Sequence, residues 1–308
     1  MATSQVRLLP GRRRLAGYGL VFFLILLLAA PLLTLLVLSF FRQDGLAITP
    51  TFTTANYGKI FELSEKPVFW MGIPFHFKYP LPAVMLVKSL LMSLGATAAI
   101  ILTAYPMAYF LAFRVTKYKL AWIILLTIPF WTSYLLRVFA WKIVLGFNGA
   151  INSGLISLGI IKQPLEFLLY NPAAVMITLT HAWVAFAILP IYVSLQKIDR
   201  SYLEAATDLG DTRWQRFRRV TLPLSMPGVI SASLLVFIPT VGDYVTPTLV
   251  GGPGGVMIGN VIQSLFFRQN DAPLGAAVAL VMLVVIALLS LLFLWSVGYR
   301  EIRRRSVR

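Results

Sequence analysis

The sequence predicts an all-α integral membrane protein with six membrane-spanning helices. Of its 308 residues, 58% are hydrophobic and only 12% are charged, and the mean hydropathy is +0.81. A soluble domain carries about 25% charged residues and could not bury so much apolar surface. The apolar residues also lie in runs close to the length of about 20 residues that a helix needs to cross a bilayer. The bilayer is therefore expected to be the apolar solvent for this chain.

Six apolar runs are the candidate spans, in the order Leu15–Phe41, Val84–Phe113, Leu120–Leu135, Pro172–Leu195, Met226–Val245 and Ala272–Val297. The first follows the basic residues Arg12–Arg14 but is far longer than the roughly 7–15 apolar residues of a secretory signal, so it is expected to be a retained helix. The third is short, and its helix is expected to continue past Arg137. Together the six runs form one domain, residues 15–297.

The distribution of cations predicts the orientation of these spans. With the N-terminus inside, segments 1–14, 114–119, 196–225 and 298–308 are cytoplasmic and hold 18 of the 27 Lys and Arg residues. The longer outer segments, residues 42–83, 136–171 and 246–271, hold eight. Because cytoplasmic loops are enriched in Lys and Arg, both termini are predicted to be cytoplasmic.

The net charge of +16 needs no nucleic-acid partner, because the positive-inside bias accounts for it. The basic ends, residues 1–14 and 298–308, are expected to anchor to anionic lipid head groups of the bilayer.

Enzyme chemistry finds little support in the sequence. The absence of cysteine excludes disulfides, thiolate metal sites and cysteine nucleophiles. The two histidines, His76 and His181, do not form a zinc motif, and the chain has no P-loop. His181 lies within the fourth span, where a packing role is favoured over a catalytic dyad. Gly251–Gly255 lacks the lysine of a phosphate-binding loop and is interpreted as a turn or hinge in an outer loop. We therefore expect no bound metal or cofactor in this chain.

The cytoplasmic segment 196–225 is patterned as helix, glycine turn and helix. Ser201 and Glu204 have the spacing of a capping box, and Gly210 suits the left-handed residue that ends a helix. Asp211 or Thr212 can cap a second short helix, whose residues are Arg213–Arg219.

The surface of this loop suits contact with another surface. Ala205 and Ala206 are small enough for close approach, while Trp214 and Phe217 give the second helix an apolar face. On residues alone, docking to a soluble partner and lying flat on lipid both remain open.

The spacing of this loop is similar to a known motif: E-A-A, three residues, G, nine residues, then an aliphatic residue, any residue, and L-P. Here the motif is Glu204-Ala205-Ala206, Gly210 and Val220–Pro223, with Val220 where isoleucine is common. The chain thereby resembles permease subunits of binding-protein-dependent ABC importers.

Other stretches resemble the spermidine/putrescine type of these permeases, so that the likeness extends over residues 15–297. They are F-T-T-A-N-Y at Phe52–Tyr57, P-F-W-T at Pro129–Thr132, Pro239, G-D-Y-V at Gly242–Val245, G-G-P at Gly251–Pro253 and M-I-G at Met257–Gly259.

The resemblance implies a type I ABC importer permease (MetI-like) fold in the bacterial inner membrane. The chain would form half of a translocation pathway for a polyamine, with two ATPase subunits, a second similar permease and an extracytoplasmic substrate-binding protein as partners. ATP and Mg would bind to the ATPase. The resemblance assigns ATPase coupling to Glu204, Ala205, Ala206, Gly210, Leu222 and Pro223.

Asp243 is the one acidic residue placed inside a predicted span. A charge there costs about 2.5–3.5 kcal/mol on insertion scales, so it is expected to face a cavity or a partner. It is either part of a cation pathway or a structural partner of Arg137 or Lys88. Cations bind carboxylates and aromatic faces, which makes four aromatic residues further pathway candidates: Tyr244, Trp131, Tyr134 and Trp183. For each of them taken alone, packing or a position at the membrane interface is favoured.

Two other functions remain open at this point. The same machine could carry another solute, such as an opine, a phosphonate, sulfate or iron. From a different class, an ion-coupled secondary transporter would be expected to show repeated, broken helices with intramembrane charge pairs, and the sequence shows no repeat. A membrane protease or transferase lacks a catalytic constellation. The patterned loop at residues 201–223 favours the importer, because neither of the other classes needs such a docking element.

Overall fold

The structure is a computed structural model that describes residues 10–64, 68–70, 73–75 and 79–306. His76 and the first nine residues of the basic N-terminus lie outside this described part. The helices are α1 Pro10–Ser39, α2 Ala55–Lys59, α3 Leu81–Phe113, α4 Lys119–Thr127, α5 Tyr134–Leu145, α6 Ala150–Ser157, α7 Pro172–Gln196, α8 Arg200–Asp208, α9 Arg213–Arg216, α10 Leu222–Val241, α11 Gly252–Gly255, α12 Ile258–Phe267 and α13 Ala272–Ser306.

Within the described part, five helical stretches have the length and apolar character to cross a membrane. They are Leu81–Phe113, Tyr134–Ser157, Pro172–Gln196, Arg213–Val241 and Ala272–Trp295. The first predicted span falls within α1, whose described side chains give a further apolar helix, Phe23–Ser39. The all-α membrane fold predicted from hydropathy is confirmed.

The third predicted span is broken rather than continuous. After α4 the chain forms a 3₁₀ turn, Ile128–Trp131, and is extended at Thr132 before α5 begins. Pro129 lies in this turn and cannot donate a backbone hydrogen bond. Arg137 Nη1 instead donates to the carbonyl oxygens of Phe130 at 2.6 Å and Thr132 at 3.2 Å. The expectation of one helix running past Arg137 is therefore wrong, and Arg137 itself stabilises the break.

The core lies where α3, α7 and α10 pack together. Small residues line the facing surfaces of α3 and α7 and allow the close helix approach that is typical of membrane proteins. They include the fully buried Ala96, Ala104, Ala108, Ala182 and Ala187. Helix α1 packs on α13 at the side of this core.

The segment between α1 and α3 forms three antiparallel strand pairs. Strand β1 (Arg42–Asp44) pairs with β2 (Ala47–Thr49), and β3 (Leu63–Ser64) pairs with β6 (Tyr79–Pro80). Enclosed by the second pair, β4 (Val68–Trp70) pairs with β5 (Ile73–Phe75).

The F-T-T-A-N-Y stretch, Phe52–Tyr57, binds to the end of α1 through hydrogen bonds and a ring contact. The Asn56 amide donates to the carbonyl oxygens of Ser39 and Phe41 at 2.8 Å each, and the Tyr57 hydroxyl lies 2.8 Å from Ser39 Oγ. The ring of Phe52 stacks on that of Phe40. The Ser39 carbonyl at the end of α1 and the Phe41 carbonyl just beyond it are thereby satisfied.

Residues 247–267 form a folded-back segment, in which the helical stretches Pro247–Gly255 and Ile258–Phe267 meet at 107°. The bend is buried, since Met257 and Ile258 are at most 1% exposed. Gly252 has φ +57°, and a Cβ there would lie 2.5 Å from the Tyr170 carbonyl oxygen. The sequence predicts a turn at Gly251–Gly255, and the chain does bend directly after these residues. The glycines are not only a hinge, however, because they also permit close packing inside the protein.

Candidate functional site

The loop that carries the E-A-A motif begins with α8, which is capped by Asp199. The Asp199 carboxylate accepts from Ser201 N at 3.0 Å, and this hydrogen bonding holds the pKa of Asp199 below its ordinary value. The predicted capping box of Ser201 and Glu204 is wrong, because the capping residue is Asp199, two positions earlier. Asp and Ser cap helices equally well, so the helix starts at the earlier of the two and Ser201 falls in its first turn.

Helix α8 ends at Gly210, as predicted. Gly210 has φ +86°. Its N–H donates to the Thr207 carbonyl at 2.9 Å, and the Asp211 N–H donates to the Ala206 carbonyl at 3.0 Å. These two bonds form a Schellman motif, which fixes the direction in which the chain leaves the helix.

Thr212 caps the second helix, one of the two predicted alternatives. Its hydroxyl accepts from Gln215 N at 3.3 Å, and the Gln215 side chain accepts from Thr212 N at 2.8 Å. A π-helical turn, Phe217–Thr221, then joins α9 directly to α10, giving one helical stretch from Arg213 to Val241. The predicted separate helix, Arg213–Arg219, is therefore the beginning of the fifth span, with Leu222 and Pro223 in its interior.

Two side-chain contacts tie the halves of the loop together. Arg216 Nη1 donates to Thr207 Oγ1 at 2.7 Å, and Arg219 Nη1 lies 2.6 Å from the Asp211 carboxylate. Exposed ion pairs contribute only about 0.2–1 kcal/mol each. Together with the caps, however, they oppose independent motion of α8 and α9.

Three of the six predicted coupling residues are exposed on the surface of this loop. Glu204, Ala205 and Gly210 are exposed, whereas Ala206 is buried against the protein. The same surface exposes three large side chains: Tyr202, Leu209 and Trp214. Charged and apolar groups are thus displayed together on a rigid element, as a protein-docking surface requires.

Phe217 connects this surface to the helix core. Its ring stacks on Trp214 at a centroid distance of 5.4 Å and meets the edge of Tyr105 of α3 at 5.7 Å. Of the two residues predicted to form an apolar face, Phe217 therefore faces inward and Trp214 outward.

Asp243 lies in the break between α10 and the folded-back segment, and not inside a helix. The residue is 9% exposed. Its Oδ1 accepts from Val245 N at 2.9 Å and Thr246 N at 3.5 Å, and its Oδ2 accepts from the Tyr134 hydroxyl at 2.5 Å. Its carboxylate therefore caps the start of the next helical stretch.

An ion pair of Asp243 with Arg137 or Lys88 is the alternative to a pathway role, and the described contacts of Asp243 do not include one. Arg137 donates to the carbonyls of the break between α4 and α5, and Lys88 Nζ donates to the Gly254 carbonyl at 2.7 Å. The hydrogen bonds of Asp243 come from neutral donors.

The structure brings together some of the predicted pathway residues. Tyr134 bonds to Asp243, and its ring lies 6.0 Å from that of Trp183. Trp131 is 80% exposed and Tyr244 is 46% exposed, and the structure shows neither of them in hydrogen-bond contact with the carboxylate. The ring of His181 packs against Phe130 and Trp141, in line with the packing role favoured for it.

Sequence reasoning missed three polar residues of this region. Thr246 is fully buried, and its hydroxyl lies 2.6 Å from that of Tyr134. Asn260 donates to the Tyr244 carbonyl at 3.0 Å, and Ser89 accepts from Ile258 N at 2.7 Å. A capping signal at Asp243 points to Thr246, whose N–H donates to that carboxylate, but no sequence signal identifies Asn260 or Ser89.

Comparison with known proteins agrees with the predicted family and fold. Residues 105–306 match the family described as binding-protein-dependent transport system inner membrane component. The spermidine/putrescine transport system permease protein PotB of Escherichia coli K12 is 35% identical over 275 residues, which cover 89% of this chain and 94% of that protein. PotB of Haemophilus influenzae is 36% identical, covering 88% and 87% of the two chains.

A chain of a bacterial ABC transporter that imports the acidic polysaccharide alginate has a similar structure. Its TM-score is 0.62 at 17% identity, covering 96% of this chain and 98% of that chain. At 17% identity this likeness shows that the two chains share a fold, and it carries no information about the substrate.

Proposed function

The chain belongs to the family of binding-protein-dependent transport system inner membrane components, and on that basis we propose that it carries polyamines. Members of this family are transport components and not enzymes. The observation that carries the proposed substrate is the likeness to spermidine/putrescine permeases, at 34–36% identity over nearly nine-tenths of the chain. The alginate and methionine importers match in fold at only 17–18% identity.

The loop formed by α8 and α9 is proposed to dock on a separate ATPase, which binds ATP and Mg. Support comes from its shape, because both helices are capped, Gly210 fixes the turn, and Glu204 and Ala205 are exposed. Because α9 continues into the fifth span, force applied at this loop reaches the membrane region without a flexible joint.

The complete importer is proposed to contain two ATPase subunits, a second similar permease and an extracytoplasmic binding protein. This chain would supply half of the pathway, and switching between inward-open and outward-open states would move the substrate. Asp243, with Tyr134 and Trp183 beside it, is the proposed cation-attracting group of this half. A polyamine carries ammonium groups, which carboxylates and aromatic faces stabilise.

Reconstitution tests this function directly. The chain is purified in mild detergent from its native membranes, its partners are identified by mass, and the complex is placed in liposomes. With the binding protein and internal ATP, we expect uptake of labelled putrescine or spermidine that stops when ATP is omitted.

Two results would contradict the proposal. Recovery of the chain without an ATPase, from membranes in which one is expressed, would refute the coupling role. ATP-driven uptake of an opine, phosphonate, sulfate or iron complex without polyamine uptake would refute the substrate class and leave the coupling role intact.

A further inference from the structure

The folded-back segment places polar backbone groups deep inside the protein. No water is available in a bilayer core, so irregular backbone there must find partners within the protein. At the bend, Lys88 Nζ donates to the Gly254 carbonyl at 2.7 Å, and Ser89 Oγ accepts from Ile258 N at 2.7 Å. Both residues belong to α3, so this helix holds the bend from both of its sides.

The beginning of the segment is held by a different residue. Asp243 Oδ1 accepts from the backbone N–H groups of Val245 and Thr246, which lead into Pro247–Gly255. Asn260 links the beginning of the segment to the bend, since its side chain donates to the Tyr244 carbonyl at 3.0 Å and accepts from Met257 N at 3.0 Å.

Lys88 and Asp243 are the only buried charged side chains in the part of the chain whose burial the structure describes, at 4% and 9% exposed. The carboxylate lies at the amide end of Pro247–Gly255 and the ammonium group at its carbonyl end. The carboxylate accepts from N–H groups, and the ammonium group donates to a carbonyl oxygen. Two costly intramembrane charges are thus both held by the backbone of one short stretch.

We propose that Lys88 is a positioning residue for the translocation pathway. By holding the Gly254 carbonyl, it fixes the folded-back segment against α3 and thereby sets the position of Asp243 and its bond to Tyr134. The pathway role of Asp243 rests on the proposed function, whereas the placement of the segment by Lys88 does not.

Thiol labelling of the assembled complex tests this role, because the chain has no cysteine and an introduced one is its only thiol. Val250→Cys probes the folded-back segment, and Val236→Cys in α10 is the matched control, since both valines are 0% exposed. With Lys88 present, both probes should react slowly with a membrane-permeant maleimide. With Lys88→Met, we expect the Val250→Cys probe to react about tenfold faster, as local opening that is easier by about 1.4 kcal/mol would allow. The Val236→Cys probe should be unchanged.

Uptake by the Lys88→Met complex is measured in the same preparation and is expected to fall. Faster labelling at both positions would mean that Lys88 supports the whole fold and not the folded-back segment in particular. Unchanged labelling at both positions would mean that the segment does not depend on Lys88. Either result would overturn the proposal. Selective labelling with normal uptake would overturn the role in transport. Labelling needs no substrate, so a cargo other than a polyamine would refute the proposed function without affecting this result.

Discussion

At the scale of single residues, Asp243 combines two roles that can be separated. Its carboxylate caps a helical stretch and carries a buried negative charge. Asparagine keeps an acceptor for the Val245 N–H and is an equally good capping residue, but it removes the charge.

We predict that Asp243→Asn leaves assembly intact and lowers polyamine uptake about tenfold. The physical reason is that a hydrogen bond to a charged group is stronger than a neutral one by roughly 1–1.5 kcal/mol. Asp271→Asn is the matched control, because Asp271 also accepts a backbone bond at the start of a helix, from Leu274 N. Uptake of the cationic substrate at the native rate by the Asp243→Asn complex would refute the cation-pathway role.

The residues of this site differ in how far sequence could identify them. Asp243 was recognisable as a lone acid in an apolar region. Its partner Tyr134 is more than a hundred positions away along the chain and could be included only as one of several aromatic residues. Trp131 and Tyr244 looked equally suitable, because sequence does not tell which side chains turn toward the carboxylate.

At the scale of elements, the turn at Gly210 decides how α8 is oriented. We predict that Gly210→Val uncouples ATP hydrolysis from uptake or prevents ATPase docking, because a β-branched residue at φ +86° is strongly disfavoured and the turn must change. The measurement is ATPase activity and uptake in the same liposomes. Gly45→Val is the matched control, since Gly45 has φ +63° and a Cβ at either glycine would have no atom within 4 Å. Coupled uptake at the native rate by the Gly210→Val complex would count against the coupling role.

The contact between α7 and α10 depends on Gly228. A Cβ there would lie 2.4 Å from Ser194 Cβ and 2.6 Å from the Pro190 carbonyl oxygen. We predict that Gly228→Ala destabilises the protein by about 1–3 kcal/mol, as overpacking typically does, and lowers the apparent Tm of the detergent complex at a fixed scan rate.

Gly154→Ala in α6 is the control for this substitution, because no atom lies within 4 Å of its Cβ position. It should leave the apparent Tm unchanged or raise it, since alanine is the better helix former. Equal apparent Tm values for Gly228→Ala and the native complex would contradict this prediction, because α7 and α10 would then accommodate the added methyl group without a loss of stability.

Five of the six predicted spans overlap long helices, whereas the third, Leu120–Leu135, is divided, and the apolar stretch Tyr134–Ser157 falls mostly in the segment 136–171 that was predicted to lie outside. The interruptions of the helices were not predicted. Hydropathy accumulates over about 20 residues and is insensitive to single positions. The break after α4 is local, because Pro129 lies in the turn and Arg137 is only five to seven positions from the carbonyls that it binds, but a hydropathy average does not register it.

The bend at Met257 depends instead on Lys88 and Ser89 of α3, which are more than 160 positions away along the chain. Such tertiary contacts override local propensity and leave no local pattern.

At the scale of the whole molecule, the orientation inferred from the cation distribution is open to a direct test. Leu46, in the turn between β1 and β2, and Leu209, in the E-A-A loop, are each 87% exposed. We predict that a membrane-impermeant maleimide applied to intact spheroplasts labels Leu46→Cys and not Leu209→Cys, because the positive-inside rule places these positions on opposite sides. Both should react after the membrane is opened with detergent. Labelling of Leu209→Cys and not of Leu46→Cys in intact spheroplasts would show that the orientation is the reverse of the predicted one.

The continuity of α9 with α10 has a mechanical consequence. The stretch Arg213–Val241 is a single helical stretch of 29 residues, and its α10 part packs against both α7 and α3. At 1.5 Å per residue it is about 44 Å long, and no loop interrupts it between the E-A-A loop and the residue before Gly242. A displacement at the E-A-A loop would therefore reach Asp243 only if α10 moves against α7 and α3, so that the three helices shift together.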